Sequence, residues 1–164
     1  MDFGELYARY AADVFRFAFY LSGNRTLAED IAAETFARAL TARANVQAGS
    51  VKAYLLAIAR NLFLDATRTE RRTTPLEIGH RDLPAGSPTP ETAAASRFDL
   101  DALRAALLQV PEHERAALLL ATVDGLSHDE IGAALGCTRA AVKVRIHRAR
   151  LRLRALTGHE RIRS

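Results

Sequence analysis

The chain has 164 residues, nearly half of them apolar, with nine glycines, five prolines and one cysteine. That length fits one medium domain or two small ones, and a lone thiol excludes both a disulfide framework and a cysteine-built zinc site. The formal net charge of +4 is unevenly spread: residues 138–164 carry nine Lys or Arg against Glu160 alone, and residues 91–137 carry three Arg against eight acids. Abundant Ala and Leu without β-branched runs read as an all-α chain. There is no stretch of about 18 apolar residues and no leader-like segment, so the expected setting is the reducing cytoplasm, with no membrane insertion.

In the first third, Phe3, Leu6, Tyr7, Tyr10, Val14, Phe17 and Leu21 recur at helical spacing and stop at Ser22-Gly23-Asn24. A second helix is expected to be capped by Thr26 with Glu29 as its reciprocal partner, and to run to about Ala42. Its apolar side is Ala28, Ile31, Thr35, Ala39 and Leu40. Asp30, Glu34 and Arg38 stand four apart on the other side, where an ordinary solvated row of ion pairs is one reading. A third helix, capped by Ser50, carries Tyr54, Leu55, Ile58, Leu62 and Phe63. It continues into Arg60, Asn61, Asp65, Arg68, Arg71 and Arg72. Aromatic and basic residues interleaved beside the 44–49 loop suit unpaired bases and a DNA backbone; the competing reading puts Tyr54 and Phe63 in the core.

Four of the five prolines fall in residues 73–90, where no helical period survives, so this stretch reads as a linker. The halves differ in kind as well, since ten of the eleven aromatics precede Arg72. The expected organisation is two small helical domains, 1–72 and 91–164, with no internal repeat. The second opens with Leu100, Leu103, Leu107 and Val110 on one face. A helix begun at Pro111 follows and is closed by Asp124-Gly125.

Residues 127–154 hold two more helices. Ser127 and Glu130 form a capping box, Ile131, Ala134 and Leu135 share one face, and Gly136-Cys137 breaks the helix. A longer, arginine-rich helix starts near Thr138. A short helix, a tight turn and a basic helix are the sequence form of a helix-turn-helix, making this a four-helix domain. At 100° per residue, Val142, Ile146, Ala149 and Leu153 form the packed stripe of the last helix, and Ala140, Lys143, Val144, His147 and Arg148 point away from it. Lys143 and Arg148 could meet guanine edges or phosphates, and Val144 a thymine methyl. Thr138 at the helix start suits a phosphate, and Arg139, Arg145, Arg150, Arg152 and Arg154 suit phosphate neutralisation. A solvated basic helix without a ligand and a membrane-surface helix are the alternatives. The second lacks large outward apolar anchors other than Leu151.

Taken together these segments resemble a bacterial RNA polymerase sigma factor of the extracytoplasmic-function group of the sigma-70 family. AEDIAAETFARAL resembles the polymerase-binding segment, and SVKAYLLAIARNLFLDATRTERR the promoter-melting and minus-ten segment. VPEHERAALLLATVDGLSHDEIGAALGCTRAAVKVRIHRARLRL resembles the minus-thirty-five domain. The resemblance implies that Asp30, Glu34 and Arg38 face the clamp of core polymerase. It implies that Ser50, Tyr54, Asn61, Asp65 and Arg68 serve the minus-ten element, with the 44–50 loop holding a flipped base. Thr138, Arg139, Lys143, Val144, His147 and Arg148 would serve the minus-thirty-five element. An anti-sigma protein is the implied regulator. The chain departs from the usual pattern at Ala33 (commonly Gln), Tyr54 (Trp), Ala121-Thr122 (a basic–aromatic pair), Gly132 (Ala) and Val144 (often polar).

A stand-alone helix-turn-helix regulator is the alternative, and it would bind an operator tightly without polymerase. An enzyme is not expected. There is no P-loop or nucleophile motif, and His80, His113, His128, His147 and His159 lack ligand spacing. The reading calls for no metal or cofactor.

Overall fold

A computed structural model describes residues 2–41, 51–73 and 100–158. Among these, every regular element is a helix: α1 (Phe3–Ser22), α2 (Arg25–Thr41), α3 (Val51–Thr73), α4 (residues 100–107), α5 (Glu112–Thr122), α6 (His128–Leu135) and α7 (Arg139–Thr157). The all-α expectation therefore holds. Ser50, the 44–50 loop and nearly all of the 73–90 linker lie outside the described residues.

The first three helices pack on one another. α1 opens with a capping box in which Asp2 and Glu5 exchange bonds, and it closes at Gly23, whose φ of 72° needs no side chain to be accommodated. The cap of α2 differs from expectation. Asn24, not Thr26, accepts the Leu27 N–H at 2.9 Å, so the helix starts at Arg25 and Thr26 already lies in its first turn. Glu29 turns back to Arg25 instead.

Val14, Phe17 and Leu21 meet Ala28, Ile31, Phe36 and Ala39, and Leu55, Leu56, Ala59 and Phe63 close the core from α3. The expected stripes shift at their ends. Phe36 is buried and Leu40 exposed, while Phe3 and Tyr7 are exposed, stack on each other and meet Phe36 in edge-type contacts. Thr35 is wholly buried and donates its hydroxyl to the Ile31 carbonyl one turn back, which satisfies it without a partner helix.

In the second unit α5 is central. Every residue from Glu114 to Leu120 is buried, because α1, α6 and α7 all pack on it. Glu114 survives there because Arg152 of α7 donates to it at 2.7 Å, joining α5 to α7. Arg152 is thus a structural partner, not the free phosphate-neutralising group expected from sequence.

Gly132 is explained by packing. A Cβ there would stand 2.7 Å from the Cys137 carbonyl oxygen, where the helix-turn-helix turn folds back on α6. The Cys137 N–H donates to the Gly132 carbonyl at 3.0 Å, which holds the two backbones together. Gly132→Ala gains about 1 kcal/mol of helix propensity but must push the turn away. A net loss of about 1–3 kcal/mol is expected, read as a lower urea midpoint, and a stabilised variant would contradict the tight contact.

The two units are not separate beads. α1 and α3 pack against α5 and α6, and Leu108 sits against Gly23.

Candidate nucleic-acid interface

α6 and α7 are shaped by their caps. The Ser127 hydroxyl takes the Glu130 N–H and the Glu130 carboxylate takes the Ser127 N–H, while Gly136 at φ 72° ends α6. The left-handed residue reverses the chain, and two residues later Thr138 starts α7 by accepting the Ala141 N–H at 3.0 Å. The Thr138 oxygen is thereby occupied as a cap, which leaves its proton and the open N–H groups of the first turn for an anion.

Val142, Ile146, Ala149 and Leu153 are all buried, as their 100° spacing requires. The opposite side is open: Ala140, Lys143, Val144, His147 and Arg148 are all exposed, Val144 at 46%. Lys143 and Arg148 form no ion pair among the described residues, so their charge is uncommitted. Arg139 differs, since it is held by Asp129 of α6 at 3.1 Å. That bond braces the two helices and must be shared or given up if Arg139 is to meet phosphate.

The second surface lies on α2 and α3. Asp30, Glu34 and Arg38 are all exposed in a row, with Arg38 donating to Glu34 at 3.2 Å. On α3, Asn61, Asp65 and Arg68 are exposed along one face, and Arg68 pairs with Asp65. Tyr54 is half-buried against the core and Phe63 is buried, so Phe63 is a core residue and Tyr54 offers only part of its ring. An open groove of about 620 Å³ joins the two helices, lined by Asn24, Thr26, Asp30, Leu62, Asp65 and Glu70 among others. Residues from both sets, Asp30 and Asp65, thus share one concavity.

What the sequence did not reveal is a third set of polar groups, where the units meet. Arg115 of α5 is buried and donates to three carbonyls: Leu21 at 3.1 Å, Leu107 at 3.3 Å and Val110 at 2.6 Å. Burial pushes its guanidinium below the usual arginine range, and nearby Glu112 opposes the shift. Glu112 itself accepts both arms of Arg60 of α3, at 2.8 and 2.6 Å. Lys52 of α3 donates to the Asp124 carbonyl at 3.0 Å. The Asp124 carboxylate is buried without a hydrogen-bond partner, and burial pushes its pKa up to about 6, against the pull of Lys52 and Arg16. Arg115 and Leu21 are 94 positions apart, Lys52 and Asp124 are 72 apart, and Arg60 and Glu112 are 52 apart, so no spacing rule could have signalled these pairs.

Comparison with known proteins agrees with this layout. Residues 6–73 match sigma-70 region 2, and residues 100–153 match sigma-70 region 4. The chain is 42% identical over 153 residues to the ECF RNA polymerase sigma factor SigE of Mycolicibacterium smegmatis, covering 92% of this chain and 59% of SigE. It is 37% identical over 141 residues to the ECF sigma factor EcfG of Rhodopseudomonas palustris, covering 85% of this chain and 76% of EcfG. Among solved structures, the sigma factor RpoE of Bartonella quintana, crystallised with the anti-sigma factor NepR, superposes with a TM-score of 0.80 at 27% identity. That match covers 96% of this chain and 98% of RpoE. Two helical units matching regions 2 and 4 in order, together with relatives that match most of the chain, place it in the extracytoplasmic-function group of the sigma-70 family of RNA polymerase sigma factors.

Proposed function

We propose that this chain is an alternative sigma factor: it binds core RNA polymerase, directs promoter-specific initiation and is held in check by an anti-sigma protein. It works in the cytoplasm as a non-catalytic subunit. Core polymerase supplies the chemistry, and binding energy alone opens the strands. In this reading residues 1–72 bind polymerase and the minus-ten element, 73–90 link, and 91–164 bind the minus-thirty-five element. The observation that carries it is the outward face of α7, where Lys143, Val144, His147 and Arg148 stand exposed on a helix locked from behind by four buried residues.

Each residue has a distinct task. Lys143 and Arg148 reach guanine edges or phosphates, Val144 favours a thymine methyl, and His147 lies between them. Thr138 and Arg139 fix the register of α7 on the backbone. Asp30, Glu34 and Arg38 dock on polymerase. Asn61, Asp65 and Arg68 line the minus-ten contact, with Tyr54 beneath and Ser50 at the edge of the base-holding loop. The structure of RpoE bound to an anti-sigma factor supports control of the same kind here.

Reconstitution with core polymerase tests the reading. Purified complex is expected to start transcription at defined sites, and isolated chain to shift promoter duplex weakly. Arg148→Ala should weaken use of a mapped promoter by about 1–3 kcal/mol, or roughly 5- to 150-fold. Val144→Ser should change the preferred base instead of lowering affinity for all sequences. Tight operator binding without polymerase would point to a stand-alone regulator, and starts unrelated to sequence would overturn the assignment.

A further inference from the structure

α7 carries seven Lys and Arg between Arg139 and Arg154. Among the described residues two of them are ion-paired, and the two pairs differ in kind. Arg152 reaches Glu114, whose side chain is 3% exposed, and that pair belongs to the packing of α5 on α7. Arg139 reaches Asp129 at 3.1 Å, and both side chains are open to solvent, at 58% and 73%. An ion pair this exposed adds little to stability. Asp129 is also spare in its own helix. Ser127 and Glu130 make the capping box of α6, and Arg139 is the only partner of the Asp129 carboxylate among the described residues. Bracing alone explains little of this pair.

Its position explains more. Arg139 is the first residue of α7, one turn before Lys143 and on the same flank. When a helix-turn-helix docks, the start of its second helix meets the groove while its first helix crosses the backbone. Arg139 stands at that junction, with Asp129 in the first turn of the crossing helix. A carboxylate there cancels the nearest cation, so a duplex met at random finds a neutral corner. Once α7 is seated, a phosphate held beside Arg139 offers the same charge-assisted bond as the carboxylate. The exchange is then close to even, because Asp129 gives up a position that is already solvated.

We infer that Asp129 is a positioning residue that sets specificity: it withholds Arg139 from phosphates of random sequence and yields it only when α7 is seated on its element. Asp129 does not touch DNA and acts through Arg139. The inference rests on the reading of α7 as the DNA-reading helix and needs no polymerase. Its effect falls on discrimination more than on affinity, since non-specific binding follows the number of phosphates neutralised.

The test uses the full chain and two labelled duplexes, one of random sequence and one carrying the minus-thirty-five element of a mapped start site. Fluorescence anisotropy follows binding to each between about 50 and 200 mM salt, where the salt slope counts phosphate contacts. Asp129→Asn frees Arg139. It is expected to tighten binding to the random duplex about threefold or more at the lower salt, and to steepen the slope by about 0.9, the value of one further phosphate contact. Binding to the element should tighten by less than about 1.5-fold, because Arg139 already meets phosphate there, so selectivity falls by about half or more. Asp129→Glu keeps the charge and should match wild type on both duplexes. In an Arg139→Gln background, Asp129→Asn should leave the random-duplex slope unchanged, which neither a loss of helix stability nor a general change in net charge would produce. If Asp129→Asn acts alike with and without Arg139, or if Asp129→Glu behaves as Asp129→Asn, the coupling is wrong. If both duplexes tighten equally, or the random duplex does not tighten, the specificity role is wrong. Failure of the reconstituted complex to initiate at defined sites would strike the sigma-factor reading and leave the random-duplex result standing.

Discussion

Arg115→Met is expected to destabilise the chain by about 2–5 kcal/mol, the largest loss foreseen for any single side chain outside the apolar core. α1 and α4 both end close to Arg115, and the last carbonyls of a helix have no intrahelical donor. Leu21 lies in the last turn of α1, and its carbonyl takes the Arg115 Nε–H at 3.1 Å. Val110 lies just before α5, and its carbonyl takes Nη1–H at 2.6 Å. Leu107 closes α4 and already receives the Val110 N–H, so it has the least to lose. The positive charge also sits where the helix dipoles are negative, which offsets part of the cost of burying it.

Methionine keeps the length of the stem and removes every donor. It leaves the Leu21 and Val110 carbonyls buried and unpaired, at about 1–3 kcal/mol each. Arg115→Lys should recover less than half of the loss, since one ammonium lacks the fork that reaches carbonyls on two sides. Urea unfolding of the three proteins checks this. A methionine variant within about 0.5 kcal/mol of wild type would mean that water replaces the guanidinium, a typical surface outcome. Because Leu21 belongs to α1 and Arg115 to α5, the same variant should loosen the docking of the two units.

Asp124→Asn is expected to act in the opposite direction. The Asp124 carboxylate is 5% exposed and unpartnered, and its pKa is raised to about 6 by burial. Burial pushes it up and outweighs the downward pull of Lys52 of α3 and Arg16 of α1, with a smaller upward push from Asp13 of α1. A raised carboxylate pKa means that the folded chain holds the proton more tightly than the unfolded chain. Below about pH 4 both forms are protonated and the group contributes fully. As pH rises through about 6, the folded form must ionise a buried group and that contribution is lost. A shift of about two units corresponds to about 2–3 kcal/mol.

The asparagine variant carries no charge to bury. It should therefore match wild type near pH 4, gain on it between pH 4 and 6, and level off about 2–3 kcal/mol more stable above pH 7. Thermal melts across that range give the difference directly. A constant difference at all pH values would show that Asp124 does not titrate in this window.

The helices were legible because their signals are local. Val142, Ile146, Ala149 and Leu153 could be assigned to the buried stripe of α7 from spacing alone, since side-chain direction follows from 100° per residue. Ser127 with Glu130 and the Gly136 break gave the ends of α6 for the same reason: caps are bonds between residues three or four apart. Errors gathered where two local solutions compete or where packing stops. Asn24 outcompeted Thr26 for the first free N–H groups of α2, and Leu40 is exposed although Ala39 beside it is buried. Gly132 was read as a cost in propensity, and its reason, a carbonyl 2.7 Å from where a Cβ would be, belongs to the tertiary turn.

By itself the amino-acid sequence determined the all-α class, the order of the helices, the helix-turn-helix and the outward residues of α7, and with them the family. Each depends on periodicity or on contacts within a few residues. The tertiary structure alone decided how the two units meet. Arg115 on Leu21, Arg60 on Glu112 and Lys52 on Asp124 join residues 94, 52 and 72 positions apart. Such pairings depend on how helix faces dock, and docking is set by shape and burial summed over many side chains. In the sequence those three cations look like any other arginine or lysine on a helix.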